Sequence, residues 1–212
     1  LAAGHVTDSV DITRWIPQLA DGVPQNRAEA ATRLYLAGSS MCTPLLKQWL
    51  GDPDFRALIL PSQQKASPGK SVLGPASIVV GIAVHPETFE KIRAANYFAP
   101  LADVPPDQDA REFELHFETH VELDILTTRE PGGKGAIARY LEKFGEGIQQ
   151  IEVYVSDVGR ATDILRSRFG VEPIYPATRA GANGTCINFF LVPTQDGKKV
   201  LIEFVEAKAT SS

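Results

Sequence analysis

Residues 148–169, IQQIEVYVSDVGRATDILRSRF, decide how this chain folds. Ile151, Val153 and Val155 alternate with Glu152 and Tyr154, the period of a strand with one buried face. Ser156-Asp157 ends the alternation, and Ala161, Ile164 and Leu165 then recur at helical spacing, so a strand feeds a helix. About 70 residues upstream, residues 78–95 (IVVGIAVHPETFEKIRAA) follow the same plan. An apolar run reads there as a buried strand, Pro86 opens a helix, and Phe89 and Ile92 mark its packed side. Both units continue into further strands, which predicts two modules of one build.

The segments around these units supply the remaining elements. Phe113, Leu115 and Phe117 alternate in REFELHF, and Val121, Leu123 and Ile125 in HVELDIL, predicting antiparallel neighbours around a turn at Glu118-Thr119. Residues 102–110 (ADVPPDQDA) read as a polar, proline-bearing loop, and 127–135 (TTREPGGKG) as a flexible connection. In GAIARYLEKFGEG, Ile137, Tyr140, Leu141 and Phe144 make an amphipathic helix closed by Gly145. A Gly-rich loop (177–185), a strand (187–192), the turn TQDGKK and a last strand (200–206) complete the second module, and residues 208–212 are expected to fray.

Residues 1–60 have a different character. Asp11-Ile12-Thr13 predicts a helix through Trp15, Ile16 and Leu19 that Gly22 and Pro24 end. Asn26 reads as the N-cap of NRAEAATRLYLA, with Ala30, Leu34 and Ala37 on one face, and further helical turns are expected over 43–50 and 54–60. Residues 61–75 (PSQQKASPGKSVLGP) lack hydrophobic period and read as a linker, with a boundary near 70. The organisation predicted is a helical extension and linker over 1–70, a first module over 71–134 and a second over 135–212. The extension carries Trp15, Tyr35 and Trp49, too apolar to stand free in water, so it should pack on sheet edges, cover a cavity or join a dimer.

Composition excludes some functions. The 212 residues are 43% hydrophobic and 22% charged, ordinary for a globular protein. A net charge of −5 with no Lys/Arg cluster argues against a nucleic-acid surface. No apolar run approaches the roughly 20 residues that span a bilayer, and the opening LAAGHVTDSVD has neither the basic nor the apolar region of a secretory leader. Two cysteines, Cys42 and Cys186, make no disulfide framework, so the cytoplasm is the compartment expected.

The stretch GAIARYLEKFGEGIQQIEVYVSDV, followed by INFFLVP and GKKVLIEFVE, resembles the methylmalonyl-CoA epimerases. More widely it is similar to the glyoxalase, bleomycin-resistance and extradiol-dioxygenase superfamily, known for the vicinal-oxygen-chelate fold. There a phrase of the type AKFLEKHGEGLHHIAFEVDDI precedes the second module and VLIEL closes it. The likeness covers residues 76–207 in outline and is closest over 135–206, and nothing in 1–70 belongs to the family's core. It implies an α+β fold of two paired βαβββ modules whose strands curl around a cavity, here with a helical N-terminal extension.

The resemblance also implies four metal-facing positions. Those on the last strand of each module fall on Glu122 and Glu203, which keep a carboxylate. The first-strand histidines fall on Gln150 in the second module and on Val80 or Val79 in the first. Loss of two imidazoles removes most affinity for a transition metal, whereas an amide oxygen and two carboxylates suit Mg²⁺ or Ca²⁺ weakly. The cofactor expected is therefore none, or a weakly bound divalent cation at Glu122, Gln150 and Glu203. His85, His116 and His120 read as turn or strand-surface residues; a rearranged His120/Glu122/Glu203 set is the alternative, and no His-x-His spacing supports it.

In the epimerases a catalytic carboxylate sits on the strand before the last of the first module, which implies Glu114 here, with Glu203 as its partner. Paired carboxylates can remove and return a proton. The plainer reading is that Glu112, Glu114 and Glu118 form a solvated face. Arg179 and Lys198-Lys199 lie where the resembling enzymes admit anionic substrates, so Gln150, Arg179 and Lys199 are the ligand-binding candidates. Gly181, Asn183 and Gly184 serve equally as tight turns. Three functions follow: a metal-independent small-molecule binder, which the missing histidines favour; an epimerase- or lyase-type enzyme on a small acyl substrate; or a protein-interaction module. A small molecule is the expected partner, with no nucleic acid or membrane, and a homodimer is compatible.

Overall fold

A computed structural model describes residues 12–60, 78–117, 120–193 and 199–207. Seven strands form one curled, mixed sheet in the order β2-β3-β1-β4-β7-β6-β5. One half holds β1 (Ile78–Ala83), β2 (Ala110–Phe117) and β3 (Val121–Thr128). The other holds β4 (Gly147–Tyr154), β5 (Arg179–Ala180), β6 (Cys186–Pro193) and β7 (Lys199–Glu206). In each half the first strand runs parallel to the last, and the last is antiparallel to the strand before it. β1 and β4 join the halves antiparallel, as a two-fold axis between repeats would require. The α+β class and the repeated unit predicted from the sequence are both present.

The first module departs from βαβββ, because the described residues hold only three of its strands. Where the counterpart of β5 would run, the chain makes one ladder-like bond, Ala102 N–H to Glu112 O at 3.0 Å. Pro105 and Pro106 follow after two residues and offer no N–H to extend pairing.

The N-terminal helices also differ from expectation. The predicted helix through Leu19 is two 3-10 turns, Ile12–Arg14 and Pro17–Ala20. Pro24, read as a stop, is the first residue of α1 (Pro24–Trp49), a position where its missing N–H costs nothing. α1 then runs unbroken for 26 residues through Gly38-Ser39-Ser40 and Pro44, where the sequence predicted separate pieces. Packing explains the continuity: a Cβ on Gly38 would lie 2.6 Å from Val80 Cγ1 and 3.0 Å from Ile151 Cδ1. The helix is thus seated directly on the two central strands, and tertiary contact overrides local propensity.

α1, α2 (Pro53–Leu58), α3 (Pro86–Ala95) and α5 (Val158–Phe169) lie against one face of the sheet and share its main core. Trp49 meets Phe55 and Phe204 edge-on, and Phe89 packs on Phe113 with ring centroids 4.7 Å apart. Full burial of such a side chain stabilises by about 1.5–3 kcal/mol. Arg168 of α5 holds Asp52 and Asp54 at the start of α2, fastening the extension to the second module. α4 (Ala136–Phe144) lies on the other side, its Ile137 and Leu141 packed on Ala83, Val104, Ala110 and Leu126. No described helix is long and apolar enough to cross a membrane. The linker and boundary predicted over 61–75 and near 70, the turn at Glu118-Thr119 and the fraying predicted over 208–212 lie outside the described residues.

Candidate functional site

Strand alternation divides the sheet's residues between its faces. Leu123, Ile125, Ile151, Val153, Ile202 and Phe204 join the core under the helices. Their neighbours Asp124, Glu152 and Glu203 therefore face the concavity, together with Glu112, Glu114, Gln150 and Tyr154. The cavity they line has a volume of about 470 Å³. Register brings the polar groups level across the strands: Glu114 opposes Asp124, Asp124 and Gln150 both oppose Gly81, and Glu152 opposes Glu203.

A bulge shapes the centre of this wall. The β1–β4 register steps from Gly81↔Gln150 to Ile82↔Ile148, which leaves Gln149 as an extra residue, so both glutamines line the cavity. Gly81 makes room for them, since a Cβ there would lie 2.5 Å from Gln150 Cγ. Gln150 Nε2 donates to Glu203 Oε2 at 2.7 Å and to Glu152 Oε1 at 3.3 Å. Asp124 Oδ1 and Gln149 Oε1 are buried and receive no hydrogen bond.

Crowding of acids in a buried wall disfavours their charge. Burial first, then the charge of Glu114, pushes Glu112 up to about 7. Burial and Glu112 push Glu152 up to about 8, against the bond from Gln150. Asp124 and Glu203 stand well above the ordinary carboxylate range, through burial and then the neighbouring carboxylates. Tyr154 is raised by burial and by Glu152. Several of these groups thus hold protons near neutrality and can donate as well as accept hydrogen bonds.

The candidates named from sequence are only partly assembled here. Glu114, Gln150, Glu203 and Arg179 all line this cavity. Arg179 is paired with Asp107 at 2.6 Å and lies over the Tyr175 ring at 4.5 Å. Nearby, Asp103 N–H donates to Asn183 Oδ1 and Gln108 Nε2 to Ala180 O, so loops of the two modules are latched together. Asn183 and Gly184 have positive φ, as tight turns require. Glu122 lies outside the lining, opposite His116 in register, and Asp124, two residues on, is the β3 carboxylate that enters the cavity. Lys199 is the exposed first residue of β7, opposite Pro193 and also outside the lining, while Lys198 lies outside the described residues. Val80 packs beneath α1, so alternation puts Val79 rather than Val80 on the concave side. His116 is 3.0 Å from Glu114 Oε2 at the exposed end of β2, and His85 precedes α3.

Asp124, Glu152, Gln149 and Tyr154 also line the cavity and are not among the candidates read from the sequence. Their signal was the polar half of each alternation, which reads as a solvated face until the sheet is known to curl. The family phrase carried a further sign, since its two adjacent histidines stand against Gln149-Gln150. The divalent ion that the resemblance implies does not fit this arrangement. Gln150 turns its amide hydrogens toward Glu203 and Glu152, where an ion requires lone pairs. Among the described residues no group of three or more His, Cys, Asp or Glu is placed to hold a metal ion.

No protein-family model matches the sequence, and no curated protein matches it. Solved structures do. Methylmalonyl-CoA epimerase from Mycobacterium tuberculosis is 29% identical, with a TM-score of 0.52 over 66% of this chain and 95% of that one. A methylmalonyl-CoA epimerase in complex with methylmalonyl-CoA and NH4+ is 28% identical, with a TM-score of 0.51 over 63% and 95%. A hypothetical protein from Bacillus halodurans shares the fold at 23% identity and a TM-score of 0.51, over 63% and 95%. The chain therefore has the glyoxalase-like fold, two modules curled around one concave face, with a helical layer on the other.

Proposed function

We propose that the concavity is a small-molecule site that works without a histidine-held metal ion. The bond from Gln150 to Glu203 carries this reading, because it closes the acidic wall on itself with an amide donor. A cavity of about 470 Å³ lined by both polar and apolar groups is of ligand size. The test is a fragment screen by two-dimensional NMR, with thermal shift against Zn²⁺, Mn²⁺, Co²⁺ and Mg²⁺ in parallel. Fragments should perturb the amides of Gln150 and Tyr154, and the metal ions should give no stabilisation that depends on Glu203. A stoichiometric ion lost in Glu203→Ala, or a screen with no perturbation at the cavity, would sink the reading.

A second reading is a proton-transfer isomerase, favoured by the likeness to the epimerases and by carboxyls poised near neutrality. Glu152 would exchange a proton with a carbon acid, and protonated Asp124 or Glu203 would donate to the developing enolate oxygen. Methylmalonyl-CoA incubated in D2O with the protein should then exchange its α-hydrogen, and Glu152→Gln should slow this by 10²–10⁴-fold, the usual scale of general acid–base assistance. Exchange no faster than in buffer, followed by proton NMR, would exclude that substrate.

A further inference from the structure

Within that small-molecule reading, on which the argument rests, the wall identifies a class of ligand. Asp124 lines the cavity at 4% exposure, and its Oδ1 is buried with no hydrogen-bond donor. Gln149 lines the same cavity, and its Oε1 is likewise buried and unserved. Bare buried acceptors are costly, and a ligand that supplies N–H groups removes that cost.

Charge decides between a neutral donor and a cation. Six acids, Asp107, Glu112, Glu114, Asp124, Glu152 and Glu203, line the cavity against Lys134, Arg139 and Arg179. Arg179 is already bound to Asp107. Crowding favours the protonated form of these acids in the empty cavity; a cation favours the ionised form and is held by it, whereas a neutral ligand gains nothing from it and an anion is repelled. The rest of the lining is of another kind: Ile187, Leu201, Tyr175 and Phe189 present apolar surface, the last two rings meeting edge-on at 6.2 Å. Such a wall receives a hydrocarbon or aromatic body and excludes water from the charged end.

We infer that the cavity takes an organic ammonium ion on an apolar body, its N–H groups received by Asp124 Oδ1 and Gln149 Oε1. The acidic wall selects the ammonium group, and the aromatic wall selects what carries it.

Titration calorimetry on the full chain tests this with three probes of one shape: 2-phenylethylamine, neutral 2-phenylethanol and anionic 3-phenylpropionate. The amine should bind at least tenfold more tightly than the alcohol, and the anion least. Asp124→Asn keeps the side chain's shape, and should lower affinity for the amine about tenfold while leaving that for the alcohol unchanged. The wild-type comparison stands even where the variant does not fold. Alcohol or anion bound as tightly as the amine overturns the inference, as does a folded Asp124→Asn that binds the amine normally. Absence of amine binding at millimolar concentration also overturns it. If the fragment screen nonetheless finds ligands at the cavity, the small-molecule reading survives; if that screen is silent too, both fall.

Discussion

Gln150 joins two carboxyl groups that would otherwise repel, by donating from one amide to Glu203 and Glu152. Gln150→Leu removes both bonds in a buried wall, and should cost about 1–3 kcal/mol in urea denaturation. An unchanged midpoint would mean that the two acids settle without the amide. The same crowding sets the pH response. Folded Glu152 holds its proton up to about 8 and Glu112 up to about 7, whereas both release it near the ordinary carboxylate value when unfolded. Between those limits the folded state binds more protons, so stability falls as pH rises. The contribution is fully present below about pH 4 and is lost as pH climbs through about 8. The melting temperature should therefore decline from about pH 5 to 8.5, more gently in Glu152→Gln. A melting temperature that rises over this range would contradict the burial of these acids. Glu152 and Asp124 were printed in the sequence, yet only the direction of their side chains makes them site residues.

Among the elements, α1 shows most clearly where local reading stops. Its period was legible from Ala30, Leu34 and Ala37, but its continuity through Gly38 and Pro44 was not, because the sheet beneath holds the helix together. Gly38→Ala gains roughly 1 kcal/mol of helix propensity. It also drives a Cβ to 2.6 Å from Val80 Cγ1, an overpacking that costs about 1–3 kcal/mol. The net effect should be destabilising by up to about 2 kcal/mol, with partial recovery in the Gly38→Ala/Val80→Ala double variant. A Gly38→Ala protein more stable than wild type would show that α1 has room to move outward. The β1–β4 bulge was likewise hidden, because a bulge is a mismatch between two strands and neither strand's sequence contains it.

For the whole molecule, the helical extension is a structural layer of the fold. Leu34, Cys42, Trp49 and Phe55 lie in one core with Val80, Ile151 and Phe204. Removal of residues 1–60 should expose that face, giving a chain that binds a hydrophobic dye strongly and loses cooperative melting. A truncated protein that melts sharply would show that the two modules suffice by themselves. The sequence alone determined the repeated strand–helix unit, the helical extension and the identity of the acids and glutamines. Period and residue type are local properties of the chain, written wherever a strand alternates or a helix turns. Tertiary structure alone decided that the polar faces curl inward, that Asp124 enters the cavity and Glu122 does not, and that Gln150 bridges Glu152 to Glu203. Those outcomes depend on sheet curvature and on register between strands distant in sequence, set by packing over the whole sheet and by no single segment.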